Sequence, residues 1–446
     1  MNPRTFPLGR QLWYWLYAAG IVIIAAFWWH ASGHDTHAAL YSVELAVGNL
    51  TGLIGTYQIL WQVVLLSRLP VLENTIGMEK LTWLHKWNGY SALILIILHA
   101  VFLTLGYAIL NHFNILAQLS DFMLNWNDVL KATIATLLLI GIVFISIGIV
   151  RRGLKYETWY YVHLFTYLAI LLAFSHQLSV GSDFVGQRLF EAFWLSLYVL
   201  AFGAIGFFRF LWPVYLVYKH QFRVEKIVHE TPDMLSVYVS GRHLEQLVYQ
   251  PGQFIIWRFL TPELWWQAHP FSISTAPNGR YLRFTSKQVG DFTRSLSGLK
   301  PGALVSIDGP HGHFTPARLT RPKALLIAGG SGITPIRSML EQLPAGIQDV
   351  VVLYAVRTRA DLALRDEIEA LAARRGAVVH YLLSGETVAG FTTGVVDQAN
   401  LRALVPDVSS REVMLCGPAP MMDAVTANLE HLGLARNFIH TERFAY

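Results

Sequence analysis

Four histidines lie inside apolar stretches, His85 and His99 in one and His163 and His176 in another. Imidazole ligates transition metals and haem iron, and an ionisable group within a membrane is costly enough to be read first as functional. His85 and His99 are 14 positions apart. On a helix that is about 21 Å of rise and about 40° short of whole turns, so the two share a face. His163 and His176 are 13 apart. Their rise of about 20 Å matches, but an ideal helix turns them about 140° apart, an offset that tilted haem planes or a distorted fifth helix would have to absorb. The other role open to such residues is polar glue between helices. Two pairs of matched rise instead suit two stacked haems clamped between two helices.

The elements that position these residues are apolar. The chain has 446 residues, 54% of them hydrophobic, and a mean hydropathy of +0.41. Six apolar runs, at about 12–29, 44–66, 84–110, 130–150, 158–179 and 189–212, each approach the ~20 residues that cross a bilayer. The first has no clear cleavage signal and reads as a retained anchor. Arg4, Arg10, Arg68, Lys80, Lys86, Arg151, Arg152, Lys155, Lys219 and Arg223 cluster on alternate connections. That asymmetry places both termini in the cytoplasm, His85 and His163 near the inner face, and His99 and His176 nearer the outer. These cations also account for the pI of about 9.1, so no nucleic-acid partner is required. On the outer side His30, His34, Asp35 and His37, with His112, could dock a transition metal or merely end a helix.

After Pro213 the pattern changes. Short alternating segments at 236–239, 254–259 and 281–285, broken by Pro and Gly, predict a small antiparallel barrel. From Lys323 onward apolar strands at 324–328 and 350–355 alternate with helical stretches at 336–342 and 360–374, which predicts a doubly wound parallel sheet. The glycine-rich turn Gly329-Gly330-Ser331-Gly332-Ile333-Thr334-Pro335 follows the first of these strands and opens a helix. There the backbone can approach a diphosphate and the helix start offers free N–H groups. Cys416 is the only cysteine, so neither a disulfide nor a thiolate iron–sulfur cluster is available. As a residue type alone, Cys416 reads as a small buried apolar side chain.

The ordered motifs His269-Pro270-Phe271-Ser272-Ile273-Ser274, Lys287 with Gly290-Asp291-Phe292-Thr293, the glycine turn, Cys416-Gly417-Pro418 and Glu442-Arg443-Phe444 resemble ferredoxin–NADP reductase-type flavin dehydrogenases. Joined to the paired histidines, the chain resembles a bacterial-type member of the NADPH oxidase and ferric reductase superfamily. The resemblance implies a six-helix all-α membrane bundle over residues 1–215 that binds two b haems. It further implies a cytoplasmic antiparallel β-barrel FAD domain over 216–320 and an α/β doubly wound NAD(P)H domain over 321–446.

Carried over residue by residue, it places Ser272 near the isoalloxazine and His269 toward the FAD phosphates, in the strand from His269 to Ser274. Lys287, Gly290 and Thr293 would hold the pyrophosphate. Gly329, Gly330, Gly332, Thr334 and Pro335 would cradle the nicotinamide nucleotide. Cys416, followed by Gly417 and Pro418, would sit beside the nicotinamide, and Phe444 would shield the flavin. Arg357 would meet a 2′-phosphate, favouring NADPH over NADH. The implied activity passes electrons from NADPH through FAD and the haems of an integral inner or plasma membrane protein to an extracytoplasmic acceptor. That acceptor is oxygen, giving superoxide, or a ferric chelate; the alternative is a subunit that feeds a protein partner. Two departures from the family pattern stand out. Ala445 and Tyr446 follow Phe444, and no arginine precedes Arg68 in the second apolar run, with Leu103 one turn beyond His99.

Overall fold

The computed structural model describes residues 6–33, 40–148, 153, 156–181 and 187–443. It divides into two compact units, one of residues 4–210 and one that takes in 211–446.

The first unit is helical: α1 (Phe6–Trp28), α2 (Leu40–Leu65), α3 (Pro70–Ile76), α4 (Met78–Asn111), α5 (Ile115–Asn125), α6 (Val129–Ser146), α7 (Tyr156–Val180) and α8 (Arg188–Ile205). Among the described residues, five helices are long and apolar enough to cross a membrane: Gln11–Ala31, Lys80–Asn111, Val129–Ser146, Glu157–Val180 and Arg188–His220. The second apolar run also forms a helix, α2, but Asn49, Thr51, Thr56, Gln58 and Gln62 lower its hydropathy. Several of those polar groups are matched inside the bundle. Gln58 Nε2 donates to the Tyr17 hydroxyl at 3.0 Å, Tyr17 donates to Asn88 at 2.9 Å, and Asn88 Nδ2 donates to the Gln58 carbonyl at 2.8 Å. Bonds of this kind join helices where no water can satisfy them. The outward faces stay apolar, with Leu137, Phe144, Val199 and Leu200 exposed as lipid-facing residues would be.

Two short helices escape the sequence reading. Both α3 and α5 are too brief to span, and Asn114 caps α5 by accepting from the Ala117 N–H at 2.8 Å. The helix bearing His163 and His176, α7, is one α-helix from Tyr156 to Val180, which leaves tilted haem planes as the other way open to absorb the offset.

The second unit opens with α9 (Trp212–His220) and continues with β1 (Arg223–Thr231), β2 (Met234–Ser240), β3 (Phe254–Phe259), β4 (His269–Ser272), β5 (Tyr281–Lys287), α10 (Asp291–Ser295) and β6 (Val305–His311). These strands form two antiparallel three-stranded sheets, β1-β2-β5 and β4-β3-β6, joined by bridges Arg223 to Leu304 and Ile273 to Phe284. Their alternating inward side chains, among them Leu235, Val237, Trp257, Phe259 and Phe284, make one core.

The remainder alternates strand and helix: β7 (Lys323–Gly329), α11 (Ile333–Glu341), β8 (Asp349–Val356), α12 (Arg365–Arg375), β9 (Val378–Leu383), β10 (Thr392–Thr393), α13 (Gln398–Leu404), β11 (Glu412–Gly417), α14 (Ala419–His431) and β12 (Ile439–Arg443). The sheet is wholly parallel in the order β10-β9-β8-β7-β11-β12. Its strands read as continuous apolar runs because helices cover both faces. The chain reverses direction of winding between β7 and β11, where open α/β sheets bind ligands.

Candidate redox sites

In the helical unit α4 packs along α2, and α7 along α6. The histidines of α4 and α7 face each other in two pairs. Ring centres stand 6.0 Å apart for His85 and His163, and 6.4 Å apart for His99 and His176. A metal bridging two imidazoles needs bonds of about 2.0–2.1 Å and about 1.1 Å more to each ring centre, so about 6.3 Å in all. Both pairs therefore fit an iron between them.

What fixes each ring differs. His99 Nδ1 donates to the Gly48 carbonyl at 2.8 Å and His176 Nδ1 to the Ala173 carbonyl, which leaves Nε2 of each for a metal. His163 Nδ1 lies 3.4 Å from the Ser146 hydroxyl, which also accepts from Trp159 Nε1 at 3.1 Å. Among the described residues His85 Nδ1 is buried and meets no hydrogen-bond partner. Room for the His99 ring comes from Gly52, where a Cβ would lie 2.4 Å from Nδ1. The sequence reading missed this support, although Gly48 and Gly52 have the small-xxx-small spacing of close helix contacts.

Around β4, Phe271 stacks on Phe284 at 4.6 Å, and the His269 ring lies 3.9 Å from that of Phe292. Among the described residues Ser272 Oγ is buried without a hydrogen-bond partner, an orphan donor on the strand that the motif assigns to the flavin. The Ser274 hydroxyl is instead engaged, accepting from Arg283 Nε at 2.8 Å. Thr293 Oγ1 accepts from the Gly290 N–H at 2.9 Å and so closes its own turn, while Gly290 faces open space. Lys287 pairs with Asp233 at 2.9 Å. Burial would raise the Asp233 carboxyl, but the Lys287 ammonium and the Thr231 hydroxyl outweigh it and hold it low.

The glycine turn lies at the switch point. Gly330 has φ +50°, and a Cβ on Gly332 would lie 2.1 Å from the Cys416 carbonyl oxygen, so both glycines are needed for the turn to pass β11. Pro335 falls in the first turn of α11, where its missing N–H costs nothing. The Thr334 hydroxyl donates to the Thr285 carbonyl at 3.2 Å. A cavity of about 280 Å³ opens here, lined by Lys287, Gly329, Gly330, Arg357, Asp361 and Pro418. Lys287 thus lines the same cavity as the glycine turn. Cys416 is fully buried beside it, and burial, with Glu442 near, pushes its thiol up, so it stays neutral. Phe444 and Tyr446 lie outside the described residues, as do His34, Asp35 and His37 of the outer cluster. Among the described residues no group of three or more His, Cys, Asp or Glu could hold a metal.

Three domain families match in the same order. A ferric reductase like transmembrane component matches residues 51–174, an FAD-binding domain residues 219–314, and an oxidoreductase NAD-binding domain residues 326–427. The chain thus joins a ferric reductase like transmembrane component to FAD- and NAD-binding domains, an order that matches fusions of the ferric reductase and NADPH oxidase type. Two of the three matches are to nucleotide-cofactor domains, one of them an oxidoreductase NAD-binding domain.

The NADPH oxidoreductase of Mycobacterium tuberculosis is 31% identical over 242 residues, 52% of this chain and 62% of that protein. The ferredoxin reductase component of 3-ketosteroid-9-alpha-monooxygenase from Rhodococcus rhodochrous is 33% identical over 231 residues, 50% of this chain and 64% of that protein. Among solved structures, the FAD/NAD-binding domain of a nitric oxide dioxygenase from Vibrio cholerae is 27% identical with a TM-score of 0.45, covering 50% of this chain and 97% of that one. The chain spans less than two thirds of the two curated relatives.

Proposed function

We propose that this oxidoreductase carries electrons from NADPH through FAD and two bis-histidine b haems to an acceptor on the far side of a bacterial inner or plasma membrane. The paired rings at 6.0 and 6.4 Å carry the reading. His85 and His163 hold the inner haem, and His99 and His176 the outer, within a six-helix bundle over 1–215. A barrel over 216–320 holds FAD, and residues 321–446 hold the nucleotide. Both termini and the dehydrogenase are cytoplasmic by the distribution of Lys and Arg. FAD, when bound, turns a two-electron hydride into single electrons.

The chain's own residues bind and orient. Gly329, Gly330, Gly332, Thr334 and Pro335 shape the turn that receives the nucleotide diphosphate, with Gly417 and Pro418 facing it. Arg357, at the cavity wall, reads the 2′-phosphate and favours NADPH over NADH. His269, Pro270, Phe271, Ser272 and Ser274 line the flavin, and Gly290 and Thr293 shape the turn beside its pyrophosphate. Cys416 flanks the nicotinamide and Phe444 covers the flavin until nucleotide binds. Were two imidazoles to hold each iron, neither haem would keep an open site on the metal for an acceptor. Oxygen, giving superoxide, or a ferric chelate is the acceptor; the second reading, delivery to a periplasmic or extracellular protein, rests on the same wiring. The test adds NADPH to purified protein and follows oxygen uptake with and without superoxide dismutase, and then ferric chelate reduction. Flavin reduction with neither acceptor consumed would leave the partner reading standing and sink the other.

A further inference from the structure

The contact between the flavin-side sheets and the nucleotide-side sheet is closed by charge. Arg283 on β5, 1% exposed, grips Glu367 of α12 with both terminal nitrogens at 2.7 and 2.9 Å. Arg337 on α11, 6% exposed, donates its Nε to the same carboxylate at 2.8 Å and its Nη1 to Glu341. The two guanidiniums then converge on one atom. The Ser274 carbonyl accepts from Arg283 Nη2 at 3.2 Å and from Arg337 Nη1 at 3.1 Å. Glu341 returns the link by accepting from the Ala276 N–H at 2.7 Å.

Two positive and two negative groups cancel, so no net charge is buried. Such a network is still a poor source of stability, because desolvation consumes most of its attraction. Its geometry is its distinctive property, since a fork held at both ends fixes a distance. Ser274 lies two residues past Ser272, and Arg337 lies five residues past Gly332 in the helix that the glycine turn opens.

We propose that Arg283, Arg337, Glu341 and Glu367 are positioning residues that set the spacing between the flavin-lining strand and the nucleotide turn for hydride transfer. The proposal rests on the assignment of flavin to β4 and nucleotide to the glycine turn. The hydride moves with its electron pair from the nicotinamide carbon to the flavin, and none of the four residues gives or takes a proton.

The test uses the full-length, flavin-loaded protein under anaerobic conditions, with NADPH and NADPH deuterated at the transferred position. Glu367 is 36% exposed, so Glu367→Ala leaves no internal cavity. It should slow single-turnover flavin reduction by about tenfold to a hundredfold, as loss of near-attack geometry does, and raise the deuterium isotope effect while nucleotide affinity changes less than about twofold. Glu367→Gln, which keeps the shape and one acceptor, should recover part of the rate. A wild-type flavin-reduction rate in Glu367→Ala, with only the melting temperature lowered, overturns the proposal. Should that variant not fold, Arg337→Lys is judged by the same rate and isotope effect. Failure of NADPH to reduce the wild-type flavin would instead overturn the site assignment itself.

Discussion

The helical unit and the dehydrogenase unit hold their functional groups by opposite means. Around His99 and His176 the partners are backbone carbonyls, and room is made by glycine. Around Ser274 the partners are two guanidiniums, themselves held by two carboxylates. The solvent explains the contrast. Lipid offers no dielectric relief, so a charged network would be prohibitive there and close helix packing does the orienting. In the dehydrogenase, water reaches Glu341 and Glu367 on one side, and a neutral network can be half-buried at modest cost.

The largest expected effect breaks the membrane side alone. His163→Ala should leave flavin reduction by NADPH at its wild-type rate yet abolish transfer to any far-side acceptor; retained acceptor reduction would detach the two halves of the account. Arg357→Ala sharpens the dehydrogenase side. It should raise the NADPH Michaelis constant by roughly tenfold to a hundredfold, from a charge-assisted bond of about 1.5–3 kcal/mol, with NADH little affected. Equal effects on both nucleotides would remove Arg357 from the 2′-phosphate, and Arg359 would be the next residue to change.

Gly52→Ala probes glycine as the membrane's substitute for polar support. The added methyl would meet the His99 ring, so the overlap should displace it, costing about 1–3 kcal/mol of stability and depleting the outer haem. An unchanged outer-haem spectrum would show that the ring has another seat. The smallest effect concerns charge in the dehydrogenase. Burial would raise the Glu412 carboxyl, but His440 and the N–H groups of Thr320 and Arg321 bring it from the ordinary 4.5 to about 2. A depressed carboxyl stabilises fully above its unfolded value and loses that contribution as pH falls through about 2. Glu412→Gln should therefore lower the melting temperature at pH 7, and the gap from wild type should shrink below pH 4; a gap constant with pH would place the effect in shape and not charge.

Much of this was legible from sequence for reasons that differ between the halves. Histidines in lipid are conspicuous because the surroundings forbid casual polar residues. The glycine turn was legible because strand, glycines and helix occur in order, and Gly332 is required by the backbone of Cys416. The helix α2 was harder to read as a support element, since its role lies in Gly48, Gly52 and polar groups that only a packed neighbour explains. The link from Arg283 to Glu367 crosses 84 positions between common charged residues, and no local pattern marks it. Nor does any local pattern foretell that the hydroxyls of Thr334 and Ser274, within their motifs, meet Thr285 and Arg283.

Whether α4 and α7 clamp two irons between paired imidazoles is tested most directly by haem quantification with low-temperature electron paramagnetic resonance on the full-length protein, produced with ample haem. The expected result is two b haems per chain, both low-spin with two imidazole ligands, falling to one in His99→Ala. A single haem in the wild type, or two unchanged low-spin signals in His99→Ala, would contradict it.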